Sequence, residues 1–299
     1  MKIPEDLLKR LYEIEIITKQ KIGEVNPGAH RSIFLGQGFD FEEHREYSPG
    51  DDVRDIDWNL LARFPDKVYR KCFREEKQLT TWILADLSGS TRFGYKNLTK
   101  RELLVKSAAY LGFSAVHELD KVGSIVFTNK IKERLIPKSG RDWAYHILDK
   151  IWNFSCASEK TDIGFALKKA KNYFKGSTMI FLLSDFLDRD CLNRDSVFWK
   201  EIKNIAGVHD LIPIVLDEDD SFLLNAKGNI ELRDLETGRM INFRLSQKNR
   251  DKFAKKIKER HSILRELFIE SGTRAIFVKR EEDLDKFLKF FLIRKRGKR

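Results

Sequence analysis

One short stretch of the chain combines residue types that could bind a metal ion. The apolar run at 82–85 leads to Asp86, and two hydroxyl residues, Ser88 and Ser90, follow at alternate positions. A carboxylate and two hydroxyls are hard oxygen ligands of the kind that bind Mg²⁺ and Ca²⁺. The stretch therefore predicts part of a metal site, which would either carry out a reaction or bind a partner.

Further oxygen ligands are expected to reach the same place. The apolar run at 179–183 leads to Ser184-Asp185, and Thr161-Asp162 precede a helical pattern. Ligands of open α/β sheets bind at the carboxyl ends of the strands, so these residues should meet there. Two carboxylates would balance a divalent ion and leave a position for water or a partner's carboxylate. The predicted metal ligands are Asp86, Ser88, Ser90, Thr161 and Asp185.

The elements that must position these residues follow from the hydrophobic pattern. Buried strands are predicted at 82–85, 122–127, 179–183, 211–216 and 275–278. Helices are predicted at 5–22, 100–118, 141–152, 162–174, 194–206, 247–270 and 281–293. This alternation indicates a parallel α/β sheet covered on both faces. Residues 229–244 are predicted to form a hairpin with its turn at 235–238, and Thr161-Asp162 also suit a helix N-cap.

The composition bounds the class of protein. With 299 residues, 41% of them hydrophobic, the chain can bury a sizeable core. The net charge of +11 favours anionic partners, although plain solubility explains it equally well. The three cysteines are far apart, which predicts no disulfide framework or zinc cluster and suits a reducing cytosol. With no signal peptide or membrane span predicted, we expect a cytoplasmic protein, with peripheral membrane contact left open.

Residues 25–66 differ from this alternating pattern. They are rich in turn residues, aromatic residues and mixed charges, which indicates an ordered but irregular arm. The charged patch is interpreted first as a polar network that fixes the arm, and a binding surface is the alternative. Arg45 and Arg54 are predicted to form bidentate pairs with its carboxylates.

The order of the predicted ligands resembles the metal-ion-dependent adhesion site of von Willebrand factor A domains. The arm contains three further motifs: Gly-Gln-Gly-Phe-Asp-Phe at 36–41, the stretch from Arg45 to Trp58 with its Arg-Glu-Tyr-Ser-Pro-Gly-Asp-Asp, and Ala62-Arg63. On these motifs the chain more specifically resembles the bacterial family called domain of unknown function 58. The resemblance spans about residues 8–295. It implies an N-terminal helix and family-signature arm at 1–78 and an A-like domain at 79–299, with the hairpin inserted near 229–244.

The resemblance implies a doubly wound, mostly parallel sheet with one antiparallel edge strand, here at 122–127. It implies that the five predicted ligands bind Mg²⁺ (or Mn²⁺ or Ca²⁺). It also implies a non-enzymatic adaptor that works with a MoxR-type AAA+ ATPase and binds an acidic residue of a protein ligand. Two departures leave the ligands intact: Glu159-Lys160 stand where many A domains have Gly-Gly, and Thr91 stands where Met is frequent.

Two other functions are alternatives for this chain. A Mg²⁺-dependent phosphohydrolase of haloacid dehalogenase type also has an Asp after its first strand, but it needs an acid/base Asp where this chain has Ser88. We therefore predict no catalytic residues and no organic cofactor. A basic nucleic-acid-binding protein is the other alternative. The lysines of the helical patterns at 162–174 and 247–270 are interpreted instead as solvated helix faces, so specific nucleic-acid binding is not expected.

Overall fold

The structure is a computed structural model, and it describes most of the chain. The described residues are 3–25, 39–75, 78–92, 94–95, 98–155, 161–176, 178–217, 228–233 and 240–284. The predicted turn at 235–238, the Gly-Gln-Gly motif at 36–38 and most of the last predicted helix lie outside these residues, although 282–284 are helical.

A mostly parallel sheet of six strands forms the centre of the structure. Its strands are β3 (Thr80–Asp86), β6 (Lys121–Phe127), β7 (Ile131–Lys138), β8 (Thr178–Ser184), β9 (Asp210–Leu216) and β12 (Ile276–Val278). Their order across the sheet is β12-β9-β8-β3-β6-β7. From β3 the chain adds strands on one side and then returns to add β8 on the other. The strand order therefore reverses between β3 and β8, where α/β sheets bind ligands.

Helices cover both faces of this sheet. They are α1 (Glu5–Val25), α3 (Lys100–His117), α4 (Arg141–Asn153), α5 (Ile163–Ala170), α6 (Val197–Ala206) and α7 (Gln247–Glu270). Side chains of α1, α3 and α4 share one apolar core with Ile83 and Ala85, while those of α5, α6 and α7 share another with Trp82 and Leu84. Successive residues of a strand point to opposite faces, so a single strand such as β3 contributes to both cores. The predicted α/β class is confirmed.

The antiparallel edge strand is not the one that the sequence indicated. Residues 122–127 lie within β6, which is an inner strand parallel to β3. The antiparallel edge is β7. Its sequence, Ile-Lys-Glu-Arg-Leu-Ile-Pro-Lys, has charges between its apolar residues because most of its length is only partly buried. A search for continuous apolar runs therefore misses it.

The arm contains more regular structure than its turn-rich sequence indicated. A strand β1 (Phe39–Glu46) pairs antiparallel with β2 (Tyr69–Glu75), and a short helix α2 (Trp58–Arg63) lies between them in sequence. The remaining short strands are β4 (Gly94–Tyr95), β5 (Leu98–Thr99), β10 (Gly228–Arg233) and β11 (Met240–Leu245). The last two pair antiparallel, which confirms the strands of the predicted hairpin.

Both predicted arginine pairs of the arm are present. Arg45 donates to the two carboxylate oxygens of Asp51 at 2.7 and 2.8 Å, and Arg54 donates through two nitrogens to Asp52. Arg70, which the sequence did not single out, also donates to Asp51 at 2.6 Å. Because Arg70 lies in β2, its hydrogen bond to Asp51 connects the loop after β1 to the antiparallel pair of β1 and β2. These contacts favour the structural interpretation of the charged patch.

A polar cluster joins helix α1 to helix α4. Arg141 and Tyr145 of α4 donate to Glu15 at 2.9 and 2.7 Å. Burial acts against ionisation of Glu15, but the hydrogen bonds from Arg141 and Tyr145 outweigh it and lower the pKa of this carboxyl.

This cluster predicts an acid-sensitive contribution to stability. A carboxyl whose pKa is lowered by folding stabilises the protein above its unfolded pKa, and the contribution is lost as the pH falls through the folded pKa. We expect Glu15→Gln to lower the free energy of unfolding in urea at pH 7, and the gap to the wild type to shrink below about pH 4.3. Glu13→Gln, on the exposed side of α1, is the control. A gap that stays constant with pH would contradict this role.

Candidate metal site at the strand-order reversal

The two predicted carboxylate ligands lie on neighbouring strands at the point where the strand order reverses. Asp86 is the last residue of β3, and Asp185 follows the last residue of β8. Ala85 is paired with Leu183 in the sheet, so Asp86 comes beside Ser184. Ser184 Oγ donates to Asp86 Oδ2 at 2.6 Å. Both carboxylates are buried.

The two serines after Asp86 are held by a tight turn. The backbone N–H of Ser88 donates to Asp86 Oδ1 at 3.0 Å, and the hydroxyls of Ser88 and Ser90 are 3.1 Å apart. Thr91 Oγ1 donates to the carbonyl of Ser88 at 2.8 Å. Thr91 therefore stabilises the turn that carries the two serines.

Thr161 lies at the same edge of the sheet. The backbone N–H of Asp162 donates at 3.3 Å to the carbonyl of Thr128, directly after β6, and β6 is the neighbour of β3. Asp162 is the N-cap of α5 and accepts from the N–H of Phe165 at 2.8 Å. The N-cap alternative thus holds for Asp162, while a ligand role for Thr161 stays a prediction.

The turn after β8 has an unusual backbone. Phe186, between Asp185 and Leu187, has a φ of 50°, which is uncommon for a bulky residue. Its ring is buried against Phe268 at a centroid distance of 5.3 Å, and its N–H donates to Ser184 Oγ. The N–H of Leu187 donates to Asp185 Oδ1 at 3.1 Å. Packing of the Phe186 ring therefore maintains a turn that orients both Ser184 and Asp185. Backbone strain of the kind that a positive φ causes is concentrated at functional sites.

Sequence analysis missed a lysine of this site. Lys100, the first residue of α3, lies 2.9 Å from Asp185 Oδ2, and both side chains are buried. The two residues are 85 positions apart, so only the folded chain brings them together. A local signal existed: a lysine at a helix N-terminus faces the positive end of the helix dipole, which disfavours a cation.

Asp86 differs from Asp185 in its partners. It accepts hydrogen bonds from neutral donors, and within the described part of the chain it makes no salt bridge. Burial, and then the negative charge of Asp185, raise the pKa of Asp86 well above its usual value. A bound cation would relieve both effects. The donor set of buried carboxylates and adjacent hydroxyls therefore fits a hard divalent cation.

The described residues contain no group of three or more His, Cys, Asp or Glu side chains that could hold a metal. The predicted site has only two carboxylates, so a cation there would depend on hydroxyls, water or a partner for its other ligands. Within the same residues, no helix is long and apolar enough to cross a membrane.

The fold and this edge define a mixed α/β protein with a buried acidic site where the strand order reverses. Residues 43–263 match the family described as Protein of unknown function DUF58, and the chain belongs to that family. It is 27% identical over 296 residues to the uncharacterized proteins Rv1480 of Mycobacterium tuberculosis and Mb1516 of Mycobacterium bovis, covering 97% of this chain and 90% of each relative.

Solved structures resemble the chain at low sequence identity. The structure of conserved hypothetical protein BatB from Bacteroides thetaiotaomicron matches with a TM-score of 0.50 and 16% identity, over 74% of this chain and all of that one. An aerotolerance-related membrane protein from Bacteroides fragilis matches with a TM-score of 0.48 and 16% identity, over 70% of this chain and 94% of that one. At this identity, the BatB match indicates a shared fold and no more.

Proposed function

We propose that this protein is a non-enzymatic adaptor that binds a divalent cation where its strand order reverses. Asp86, Ser88, Ser90, Thr161 and Asp185 would hold the cation, which would supply a positive charge for an acidic residue of a protein ligand. The observation that carries the proposal is the pair of buried carboxylates at this edge. Within the described part of the chain, one of them, Asp86, accepts hydrogen bonds only from neutral donors.

The same proposal includes a von Willebrand factor A-like domain as the fold and an AAA+ ATPase as the partner. A von Willebrand factor A-like domain is supported by the parallel sheet with one antiparallel edge strand and by the order of Asp86, Ser88 and Ser90 along the chain. A MoxR-type AAA+ ATPase as partner, and Mg²⁺ or a similar ion as the metal, follow from the resemblance described above together with membership of the family.

The geometry around Asp86 supports a phosphohydrolase less well than it supports an adaptor. Such an enzyme needs a proton donor close to its nucleophile, in a position to transfer the proton during the reaction. In this chain the side chain two residues after Asp86 is a serine hydroxyl 3.1 Å from another serine hydroxyl. A hydroxyl in this arrangement can coordinate a cation but is a poor general acid.

The lysines of α5 and α7 likewise give little support to nucleic-acid binding. Lys171, directly after α5, pairs with Glu201 at 2.9 Å, and Lys255 lies 3.8 Å from Glu259 on α7. The Lys255 pair joins two exposed side chains, as on the solvated face of an amphipathic helix, whereas Lys171 is engaged by the buried carboxylate of Glu201.

The adaptor function predicts cation-dependent binding of a purified partner. The partner is a MoxR-type ATPase from the same genome, and its affinity is measured by biolayer interferometry in Mg²⁺. We expect the double variant Ser88→Ala plus Ser90→Ala to bind at least about tenfold more weakly than the wild type, a loss of about 1.4 kcal/mol.

Because the ATPase can itself bind Mg²⁺, chelation alone is ambiguous, and the double variant in unchanged Mg²⁺ isolates this chain's site. Ser139→Ala, which changes an exposed serine between β7 and α4, is the control. Equal affinities of double variant and wild type would contradict the adaptor function. Phosphatase turnover that the double variant loses would favour the enzyme instead.

A further inference from the structure

The buried lysine beside the predicted ligands changes the charge balance of the site. Lys100 Nζ lies 2.9 Å from Asp185 Oδ2, and their side chains are 4% and 3% exposed. A buried ammonium is stable only when it is paired with an anion. Asp185 is therefore already matched by a positive charge, and Asp86 is the carboxylate that Lys100 leaves unmatched.

The position of Lys100 is not explained by the helix that carries it. Thr99 and Glu102 form a complete capping box at the start of α3, in which each side chain accepts from the other residue's backbone N–H. Lys100 adds an ammonium to this positive end of the helix, where the dipole disfavours it. Its pairing with Asp185 is what accounts for its burial.

We propose that Lys100 is a built-in counter-cation that makes cation binding depend on the partner's carboxylate. This inference rests on the function proposed above. With Lys100 in place, a divalent cation added to the two carboxylates leaves an excess positive charge in a buried site. A carboxylate from the protein ligand removes that excess. Since an unbalanced buried charge is costly, the cation and the acidic ligand bind together rather than separately.

The inference assigns Lys100 a specificity role. Without the ammonium, Asp86 and Asp185 alone balance a divalent ion, and the site fills without a partner. With the ammonium, the site stays weak for free cations and responds to an acidic ligand. Lys100 thus couples two binding events at one site.

The test compares Mn²⁺ binding by the wild type and Lys100→Met, in the full chain and without a protein ligand. Methionine removes the charge and keeps much of the side-chain length. Free Mn²⁺ is measured by electron paramagnetic resonance. We expect Lys100→Met to bind Mn²⁺ at least about tenfold more tightly, because the cation no longer meets a buried positive charge. Mn²⁺ should also raise the melting temperature of the variant more than that of the wild type.

Two further variants serve as controls. Lys106→Met removes a lysine of the same helix that pairs with Glu281 at 2.9 Å, and it should leave Mn²⁺ affinity unchanged. Lys100→Arg keeps the charge and should bind Mn²⁺ as weakly as the wild type. If circular dichroism shows that Lys100→Met does not fold, Lys100→Gln replaces it with the same expectation, since its amide can still donate to Asp185.

A small carboxylate tests the coupling itself. Acetate stands in for the partner's acidic side chain and should tighten Mn²⁺ binding by the wild type more than by Lys100→Met. Equal effects of acetate, or equal or weaker Mn²⁺ binding by the variant, would overturn the inference. The proposed metal site would still stand if Asp86→Asn abolished the wild-type binding. Absence of Mn²⁺ binding in both the wild type and Lys100→Met would overturn both.

Discussion

Replacing Asp86 by Ala is expected to abolish the rise in melting temperature that Mg²⁺ or Mn²⁺ causes in the wild type. A cation that binds only the folded chain stabilises it by about 2.7 kcal/mol at 100 times its dissociation constant. Asp86 is buried at the end of β3 and is one of the two predicted carboxylate ligands. Its loss removes the carboxylate whose charge Lys100 does not already balance.

The measurement is differential scanning calorimetry with and without EDTA over a range of Mn²⁺ concentrations. Asp86→Asn is a second variant that keeps an oxygen for the N–H of Ser88, and it separates loss of charge from loss of folding. Asp190→Ala removes an exposed carboxylate from the loop after β8 and should keep the full cation response. A response in Asp86→Asn equal to that of the wild type would remove the basis for the metal site.

The second large effect is expected at Gly164, where α5 crosses α6. A Cβ atom on this residue would lie 2.9 Å from the backbone nitrogen and 3.2 Å from the Cα of Phe198. Backbone atoms at the start of a helix cannot move aside cheaply, so the two helices must separate. We expect Gly164→Ala to lower the free energy of unfolding by about 1–3 kcal/mol, the usual cost of overpacking. Thr161 lies just before α5, so the cation response should weaken as well.

Gly112 in α3 provides a matched control. A Cβ atom there would lie 3.7 Å from the Cβ of Ala144, an ordinary contact. Alanine is favoured over glycine in a helix interior by about 1 kcal/mol, so Gly112→Ala should be neutral or stabilising. Urea denaturation of both variants measures the difference. Equal stability of Gly164→Ala and Gly112→Ala would contradict the close contact between α5 and α6 at Gly164.

The order and type of the central elements were predictable because they depend on local pattern. The apolar runs before Asp86 and Asp185 form buried strands, as predicted. The helices that flank these strands along the chain lie close to the predicted residue ranges. The two arginine–aspartate pairs of the arm were also predictable, since each joins residues six or fewer positions apart, although Arg45 donates through one nitrogen only. The edge strand β7 was not, because charges at its partly solvated positions leave no continuous apolar run to identify it.

The sequence by itself determined that two carboxylates and two serines follow strand ends, because strand ends are set by where an apolar run stops. The tertiary structure decided which of these ends are neighbours, and it brought Ser184 against Asp86 and Lys100 against Asp185. Contacts between residues about 90 positions apart depend on strand order and on how α3 packs, and no local periodicity encodes either. The sequence therefore indicated too large a negative charge for the site. It predicted two carboxylates, and the folded chain adds the buried ammonium of Lys100 beside them.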